Sequence, residues 1–232
     1  MTREELIKKV ALKMDEISSS DDVIVPVNAG DNNPLYTQIN NLLNESVNDA
    51  LMKAPLYRIK SQVASLSTTP PSTTTDPSLS EELGNLVIDT VFGKTRQIIH
   101  IVVPDDFIRL VSISDIAFQR PIVDFAMEGD ETDKRQHNKF LVAKTARPVA
   151  VMGRNNNGRI ITCYSYDATV TPNPTMLYIK RYDNDKDTTE DTYLDEYMTD
   201  IVSWVCAGKV FAAQGDINKG KICDDNAAAL MI

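Results

Sequence analysis

The chain has 232 residues, a hydrophobic content of 42% and a formal net charge of −9. That length is long for one domain and short for two, so we expect one body with excursions. The acidic balance argues against a sequence-independent DNA binder, which needs clustered Lys and Arg, but it does not exclude DNA that passes nearby. Residues 1–10 lack the apolar run of a signal peptide, and no stretch approaches the ~18 apolar residues of a membrane span. We therefore expect a soluble protein, made in the cytosol, with no membrane partner.

Two amphipathic helices are predicted in residues 1–60. Thr2 and Glu5 form a capping box, in which each side chain satisfies an orphan amide at the helix start, and an apolar stripe follows. A second helix is predicted to begin at Asn33-Pro34, where an N-cap residue precedes a proline whose missing amide costs nothing. Both helices have one apolar face and need other helices to cover it.

Residues 61–85 are a Ser/Thr/Pro-rich segment with little to bury. Such a composition is typical of a long loop or extended arm. One interpretation is a linker, and the other is an arm that lies on an adjacent subunit.

Residues 86–182 are predicted to form an antiparallel β domain. Asn157-Gly158 is the strongest hairpin signal, because both residues tolerate positive φ. Residues 125–138 are polar and predict an exposed loop or short helix. Antiparallel neighbours joined by turns imply a small sheet or barrel. The predicted strands are 86–92, 97–103, 108–113, 148–152, 159–166 and 176–182.

One long helical pattern, residues 193–214, carries the only tryptophan, Trp204. Its first half has a polar face that includes Thr199 and Ser203. Its second half is apolar all round apart from one lysine, and such a helix must be covered all round. Gly208 costs roughly 1 kcal/mol relative to alanine in mid-helix, which indicates a close approach by another backbone. The helix is either the core of one domain or is sealed in its second half by a neighbouring subunit.

Residues 183–232 are predicted to complete a helical bundle with residues 1–60, followed by an apolar tail. The fold class is therefore α+β: N- and C-terminal helices form the bundle, with a central antiparallel β-hairpin sheet or small barrel. Because an exposed apolar patch usually marks an interaction site, we expect the tail to be buried against a partner. The predicted interface with another subunit or a partner protein is Trp204, Gly208, Phe211, Leu230, Met231 and Ile232.

One basic concentration, meaning a group of Lys and Arg residues close together, is predicted around the Asn157-Gly158 hairpin of this acidic chain. It is either a solvated edge that discourages edge-to-edge pairing of strands, or a surface for an acidic partner or for DNA phosphates. Its members are Lys139, Lys144, Arg147, Arg154 and Arg159.

The sequence contains no constellation typical of catalysis. His100 and His137 have no Cys or carboxylate at ligand spacing, so they predict neither a zinc site nor a triad. Residues 183–194 begin like an EF-hand loop but lack its glycine and its bidentate glutamate. The nine glycines are scattered and form no phosphate-binding loop. We expect no enzymatic activity, no metal and no cofactor, and we expect the three cysteines to be reduced, packed thiols.

The order of parts resembles the head-to-tail connector proteins of tailed bacteriophages, and more narrowly the ring-forming adaptors of short-tailed, crAss-like phages. The segments that carry the resemblance are NNPLYTQINNLLNESVNDALMKAP, PDDFIRLVSI and YLDEYMTDIVSWVCAGKVFAAQGD. The resemblance implies that the helix at 193–214 packs in a helical body. It also implies a virion protein that forms a ring, usually of twelve copies, beneath the portal and around the DNA exit channel. The acidic balance suits a wall past which DNA slides without sequence-specific binding.

Two other functions remain open from the sequence. One is the gatekeeper or tail-tube ring of the same connector, next to a tail hub. The other is a non-viral ligand-binding β domain, with Tyr164, Tyr166, Tyr178 and Tyr182 as an aromatic platform for a glycan or peptide.

Overall fold

The computed structural model describes residues 1–18, 34–59, 62–67, 86–91, 94–138, 140–155, 158–166, 173–183, 192 and 194–232. The fold is mixed α+β, as predicted. Its helices are α1 (Arg3–Ile17), α2 (Pro34–Lys53), α3 (Glu131–Gln136), α4 (Glu196–Ala213) and α5 (Ile217–Leu230). Its strands are β1 (Val63–Ser67), β2 (Leu86–Val91), β3 (Lys94–Val102), β4 (Phe107–Ser114), β5 (Ala126–Met127), β6 (Val149–Asn155), β7 (Gly158–Tyr166) and β8 (Thr175–Lys180).

The chain divides into two compact units. The helical unit joins Met1–Val63 to Lys180–Ile232, and the β unit is the intervening stretch Ala64–Ile179. The expectation of one body was wrong, because the intervening stretch buries a hydrophobic core of its own.

The helical unit is built from the two ends of the chain. The capping box at its start is confirmed: the Glu5 amide donates to Thr2 Oγ1 at 3.2 Å, and the Thr2 amide donates to Glu5 Oε2 at 2.8 Å. The second helix begins at Pro34 as predicted, while its predicted N-cap, Asn33, lies outside the described residues. Helices α1, α2 and α5 all pack against α4, which is therefore the centre of this unit.

Arg3 ties α1 to α2 inside the helical unit, although only 5% of it is exposed. Its Nε donates to Asn40 Oδ1 at 2.7 Å, its Nη1 to Asn44 Oδ1 at 2.6 Å and its Nη2 to the Asn40 carbonyl at 2.9 Å. One planar guanidinium thus satisfies three acceptors on a single stretch of α2.

The β unit contains two sheets. One has the strand order β1-β8-β4, and the other has the order β2-β3-β7-β6-β5. The two predicted hairpins are present, since β2 pairs with β3 and β6 with β7, both antiparallel. The two-residue strand β5 pairs with β6 in parallel. Of the two predicted forms the sheet is the correct one, because the described strands form open sheets and no closed barrel.

Two segments of the β unit refine the sequence-based expectations. The stretch at 125–138 contains β5 and the short helix α3, in agreement with the predicted loop or short helix. The first part of the Ser/Thr/Pro-rich segment is a strand, β1, rather than a loop or arm, and Ala64 and Leu66 pack against the core of the unit. Residues 68–85 of that segment lie outside the described residues.

Candidate interface surfaces

Helix α4 is covered within the chain. Every residue from 201 to 208 is buried, and so are Val210 and Phe211. Lys13 of α1 lies with Nζ 4.9 Å from the Trp204 ring centroid, and Lys219 of α5 lies with Nζ 5.5 Å from that of Phe211. The apolar second half of this helix is therefore covered by the helices of its own unit.

Gly208 marks the crossing of α4 and α5. A Cβ atom at Gly208 would lie 3.1 Å from Asp224 Oδ1, 3.2 Å from Cys223 Cβ and 3.3 Å from the Gly220 carbonyl oxygen. The facing glycine is equally close, since a Cβ at Gly220 would lie 3.2 Å from the Gly208 carbonyl oxygen. The close approach of another backbone was predicted correctly, but that backbone is α5 of the same chain.

This packing corrects the argument for a neighbouring subunit over α4. Trp204 is 9% exposed, Phe211 is 4% exposed and Gly208 is buried, so all three face the interior of the helical unit. A surplus of apolar surface on α4 therefore no longer requires a second subunit. The assignment of Trp204, Gly208 and Phe211 to an intersubunit interface stays a prediction, but the apolar character of α4 no longer supports it.

The polar face predicted for the first half of α4 is also partly buried. Thr199 and Ser203 are fully buried, and each donates its hydroxyl to the helix backbone: Thr199 to the Glu196 carbonyl at 2.5 Å and Ser203 to the Thr199 carbonyl at 2.6 Å. A hydroxyl that donates to a carbonyl of its own helix has a hydrogen-bond partner within that helix, so the side chain can be buried in a core. Asp195 and Glu196 are exposed, as expected.

The end of α5 forms an open groove with the end of α1. Leu230 and Met231 are half-buried, whereas Ile232 is 94% exposed and its carbonyl accepts a hydrogen bond from the Tyr57 hydroxyl at 3.1 Å. We call this feature the apolar groove; it has a volume of about 530 Å³. Its lining includes Glu16, Ile17, Trp204, Ile222, Ala229 and Leu230.

The predicted basic concentration occupies two places instead of one. Arg154 and Arg159 are directly opposite in the β6–β7 pairing, and both are exposed. The backbones of Lys144 and Arg147 form an isolated antiparallel β-bridge before β6 begins, and both residues are also exposed. Since an extended chain advances about 3.3 Å per residue, the part of β6 from Val149 to Arg154 alone spans roughly 16 Å, which separates Arg154 from the residues that precede the strand. Lys139 lies outside the described residues.

The tyrosines proposed as an aromatic platform are divided between the two units. Tyr178 is buried in the β unit, stacks on Phe107 and donates its hydroxyl to Asp106 Oδ1 at 3.1 Å. Burial, followed by Asp106, raises the pKa of that phenol. Tyr182 is buried in the helical unit. Tyr164 is half-buried on β7, and the side chain of Tyr166 is not described. The burial of Tyr178 and Tyr182 removes two of the four rings from the platform of the ligand-binding alternative.

The histidines have ordinary structural surroundings. His100 Nδ1 lies 2.9 Å from Thr162 Oγ1 on the neighbouring strand, and burial lowers its pKa. His137 is exposed, with Nε2 3.8 Å from Asp133 Oδ1. Within the described ranges there is no group of three or more His, Cys, Asp or Glu arranged to hold a metal ion.

The three cysteines are buried free thiols. Burial raises the pKa of Cys163 to about 12 and those of Cys206 and Cys223 to about 11. The thiolate is the reactive form of cysteine, so these groups are inert near neutral pH.

We expect none of the three thiols to react with a disulfide reagent such as dithiobisnitrobenzoate at pH ~8 in the folded chain, and all three to react after unfolding in urea. Because the folded pKa values are raised, the stability linked to the thiols is present below the unfolded pKa of ~8.5 and is lost as pH rises towards the folded values. The urea midpoint should therefore fall above pH ~9. Stoichiometric labelling of the folded chain would contradict the buried placement.

A comparison of the chain with protein-family models found no match, and neither did a comparison with curated proteins. Among the described helices, none has the length and apolar character needed to cross a bilayer.

Proposed function

We propose that this protein is a structural adaptor of a phage head-to-tail connector, which forms a ring between the portal and the tail around the DNA exit channel. The ring would contain about twelve copies, in keeping with the resemblance and with the closed cyclic symmetry of most homo-oligomers. It would be assembled in the host cytoplasm and reside in the virion, with the portal above it and the next ring or tail hub below.

The observation that best supports this proposal is the burial of α4 at the centre of a helical unit made from both chain ends. The resemblance implies that the helix opening on the acidic-aromatic stretch packs in such a helical body. A separate β unit, inserted between the two halves of the helical unit, completes the order of parts on which the resemblance rests.

The charge distribution is compatible with a channel wall. The net charge of −9 repels DNA that slides past, whereas the exposed Arg154 and Arg159 place two like charges side by side on the β6–β7 hairpin. An anionic partner would relieve that repulsion. We assign this pair to contact with an acidic surface of the neighbouring ring or with DNA phosphates.

The proposal is tested by negative-stain electron microscopy of the purified chain mixed with the portal protein of the same virus. The expected result is a ring coaxial with the portal, absent when the portal of an unrelated virus is used. A chain that stays monomeric beside its own portal would overturn the proposal. A ring that binds tail proteins but leaves the portal bare would favour the gatekeeper or tail-tube alternative.

A further inference from the structure

The apolar groove of the helical unit is acidic at its rim. Ile17 and Leu230, the last residues of α1 and α5, both line it, so two helix C-termini meet there. Neither helix has a basic residue in its last turn. Helix C-termini carry a partial negative charge that cations stabilise. The groove thus combines an apolar floor with two helix C-termini whose partial negative charge no basic residue of either last turn offsets.

Exposed carboxylates outnumber basic side chains close in sequence to the groove lining. Glu16 lines the groove but is neutralised by Lys13, whose Nζ lies 2.9 Å from Glu16 Oε1. Asp15 on α1, and Asp224 and Asp225 on α5, are exposed carboxylates close in sequence to the lining residues, and the exposed Lys221 beside Ile222 offsets one of them. A group that fits this groove would pair an apolar side chain with adjacent positive charge.

The β unit presents a segment with that chemistry, residues 134–147, which we call the basic turn. It contains five Lys and Arg residues and no Asp or Glu; of the five, Lys139 lies outside the described residues and Arg135 is paired with Glu131 of the same short helix. Near its middle, Phe140 is 80% exposed and Leu141 is 58% exposed, two large apolar side chains on the surface. Aromatic side chains, including phenylalanine, are enriched at protein–protein interfaces relative to the rest of the surface.

The basic turn is held in shape by hydrogen bonds. The Phe140 amide donates to Asn138 Oδ1 at 3.0 Å, and the Leu141 amide donates to the Asn138 carbonyl at 3.1 Å. The buried Gln136 accepts from the Ala143 amide at 3.0 Å. A preorganised turn loses little conformational entropy on binding.

We propose that the basic turn of one copy of this chain docks in the apolar groove of a second copy. Phe140 and Leu141 would cover Trp204 and the apolar floor, and the exposed Lys134, Lys144 and Arg147 of the turn would face the two helix C-termini. This inference rests on the proposed ring function and names the contact that joins neighbouring subunits.

The contact is heterologous, because it joins two different surfaces of the same chain. Heterologous contacts generate a ring if the rotation closes and a filament if it does not. A surface that paired with itself would stop at a dimer. The complementarity of turn and groove therefore accounts for an assembly of many copies with a single type of contact.

Two exposed substitutions, made in the full chain, separate the halves of the contact. Phe140→Asp removes the apolar anchor of the turn and reverses its charge locally, and Ala229→Arg fills the groove and opposes the turn electrostatically. Their matched controls lie outside both surfaces: Ile116→Asp, 84% exposed in the β unit, and Ala213→Arg, exposed at the end of α4. Exposed substitutions of this kind seldom affect folding.

Sedimentation velocity over a range of concentrations is the measurement. Wild-type chain and both controls should form assemblies larger than dimers, and each test variant alone should raise the Kd for self-association at least about tenfold. An equimolar mixture of the two test variants should form dimers and stop there. In that pair the intact turn of one variant fills the intact groove of the other, and no further binding surfaces remain.

Each outcome separates this contact from the wider function. Rings that persist in both test variants would overturn the contact and leave the adaptor function standing. A mixture that fails to form dimers would also overturn it, as would a wild-type chain that stays monomeric up to about 1 mM. If the wild-type chain stays monomeric, electron microscopy of the chain mixed with portal protein still tests the adaptor function separately. If the two test variants form dimers when mixed but the wild-type chain forms open filaments, the contact between turn and groove is supported. The filaments would then count against a closed ring.

Discussion

Replacing Gly208 by leucine is expected to destabilise the helical unit by about 3 kcal/mol or more, since overpacking of a close contact is costly. A Cβ atom alone would lie 3.3 Å from the Gly220 carbonyl oxygen and 3.2 Å from Cys223 Cβ, so the rest of a leucine side chain has no room unless α5 moves away from α4. Backbone atoms of a packed helix cannot rotate aside as a flexible side chain can. The expected structural effect is release of α5 from α4.

The measurement is urea unfolding followed by the fluorescence of Trp204, the only tryptophan, which lies in this unit. Ala213→Leu is the matched control, because Ala213 is exposed on the same helix and should change the midpoint little. Gly208→Ala should fall between them: the added methyl meets tight contacts, but alanine gains roughly 1 kcal/mol of helix propensity. A leucine variant with the wild-type midpoint would show that α5 does not pack on α4 at this glycine.

The same substitution distinguishes folding from assembly. If a neighbouring subunit supplied the approaching backbone, Gly208→Leu would damage assembly at least as much as folding. Because the approaching backbone is α5, folding is now the first property that should fail. Any loss of ring formation in this variant would follow from the loss of α5, which also lines the apolar groove.

The elements that the sequence predicted well are those with local chemical signals. The capping box at Thr2 and Glu5, the proline at the start of α2 and the β6–β7 hairpin signalled by Asn157-Gly158 depend on residues close together in the chain, although Asn157 itself lies outside the described residues. Hydrophobic periodicity likewise identified α4 as a helix that must be covered. The packing of the terminal helices into one unit follows from their apolar faces, since each needs a partner.

The misjudged features depend on contacts between residues distant in sequence. Periodicity shows that α4 is covered but does not identify the cover, so α5 and a second subunit were indistinguishable. The alternation in β1 is only five residues long and lies within a Ser/Thr/Pro-rich stretch, which obscured it. The basic residues near β6 looked clustered because an extended strand separates neighbours in sequence by large distances in space.

The apolar groove and the basic turn illustrate a signal that sequence reasoning can recover only in part. The bias of residues 134–147 towards Lys and Arg is visible in the sequence. The exposure of Phe140 and Leu141 is not, because apolar residues beside a short helix are more often packed. Likewise, the negative rim exists because α1 and α5 end at the same groove, which no local pattern reveals.

Replacing Arg3 by alanine is expected to destabilise the helical unit by about 3 kcal/mol, through loss of three hydrogen bonds from a buried charged group. The side-chain oxygens of Asn40 and Asn44 would each lose a donor 2.7 Å and 2.6 Å away. Arg3→Lys should recover less than half of the loss, because an ammonium cannot reproduce the planar fork that reaches two side chains and a carbonyl together.

Urea unfolding monitored by Trp204 fluorescence again reports the change, and Lys8→Ala is the control on the same helix. Lys8 forms an exposed pair with Glu4 at 2.8 Å, and Glu4 raises its pKa, but exposed pairs contribute little to stability. The expected order of midpoints is therefore wild type and Lys8→Ala together, then Arg3→Lys, then Arg3→Ala. An Arg3→Lys variant as stable as wild type would mean that positive charge alone, and not the fork geometry, joins α1 to α2. The ordering thus tests whether the N-terminal helix is fixed by directional hydrogen bonds, on which the position of Glu16 and Ile17 at the apolar groove also depends.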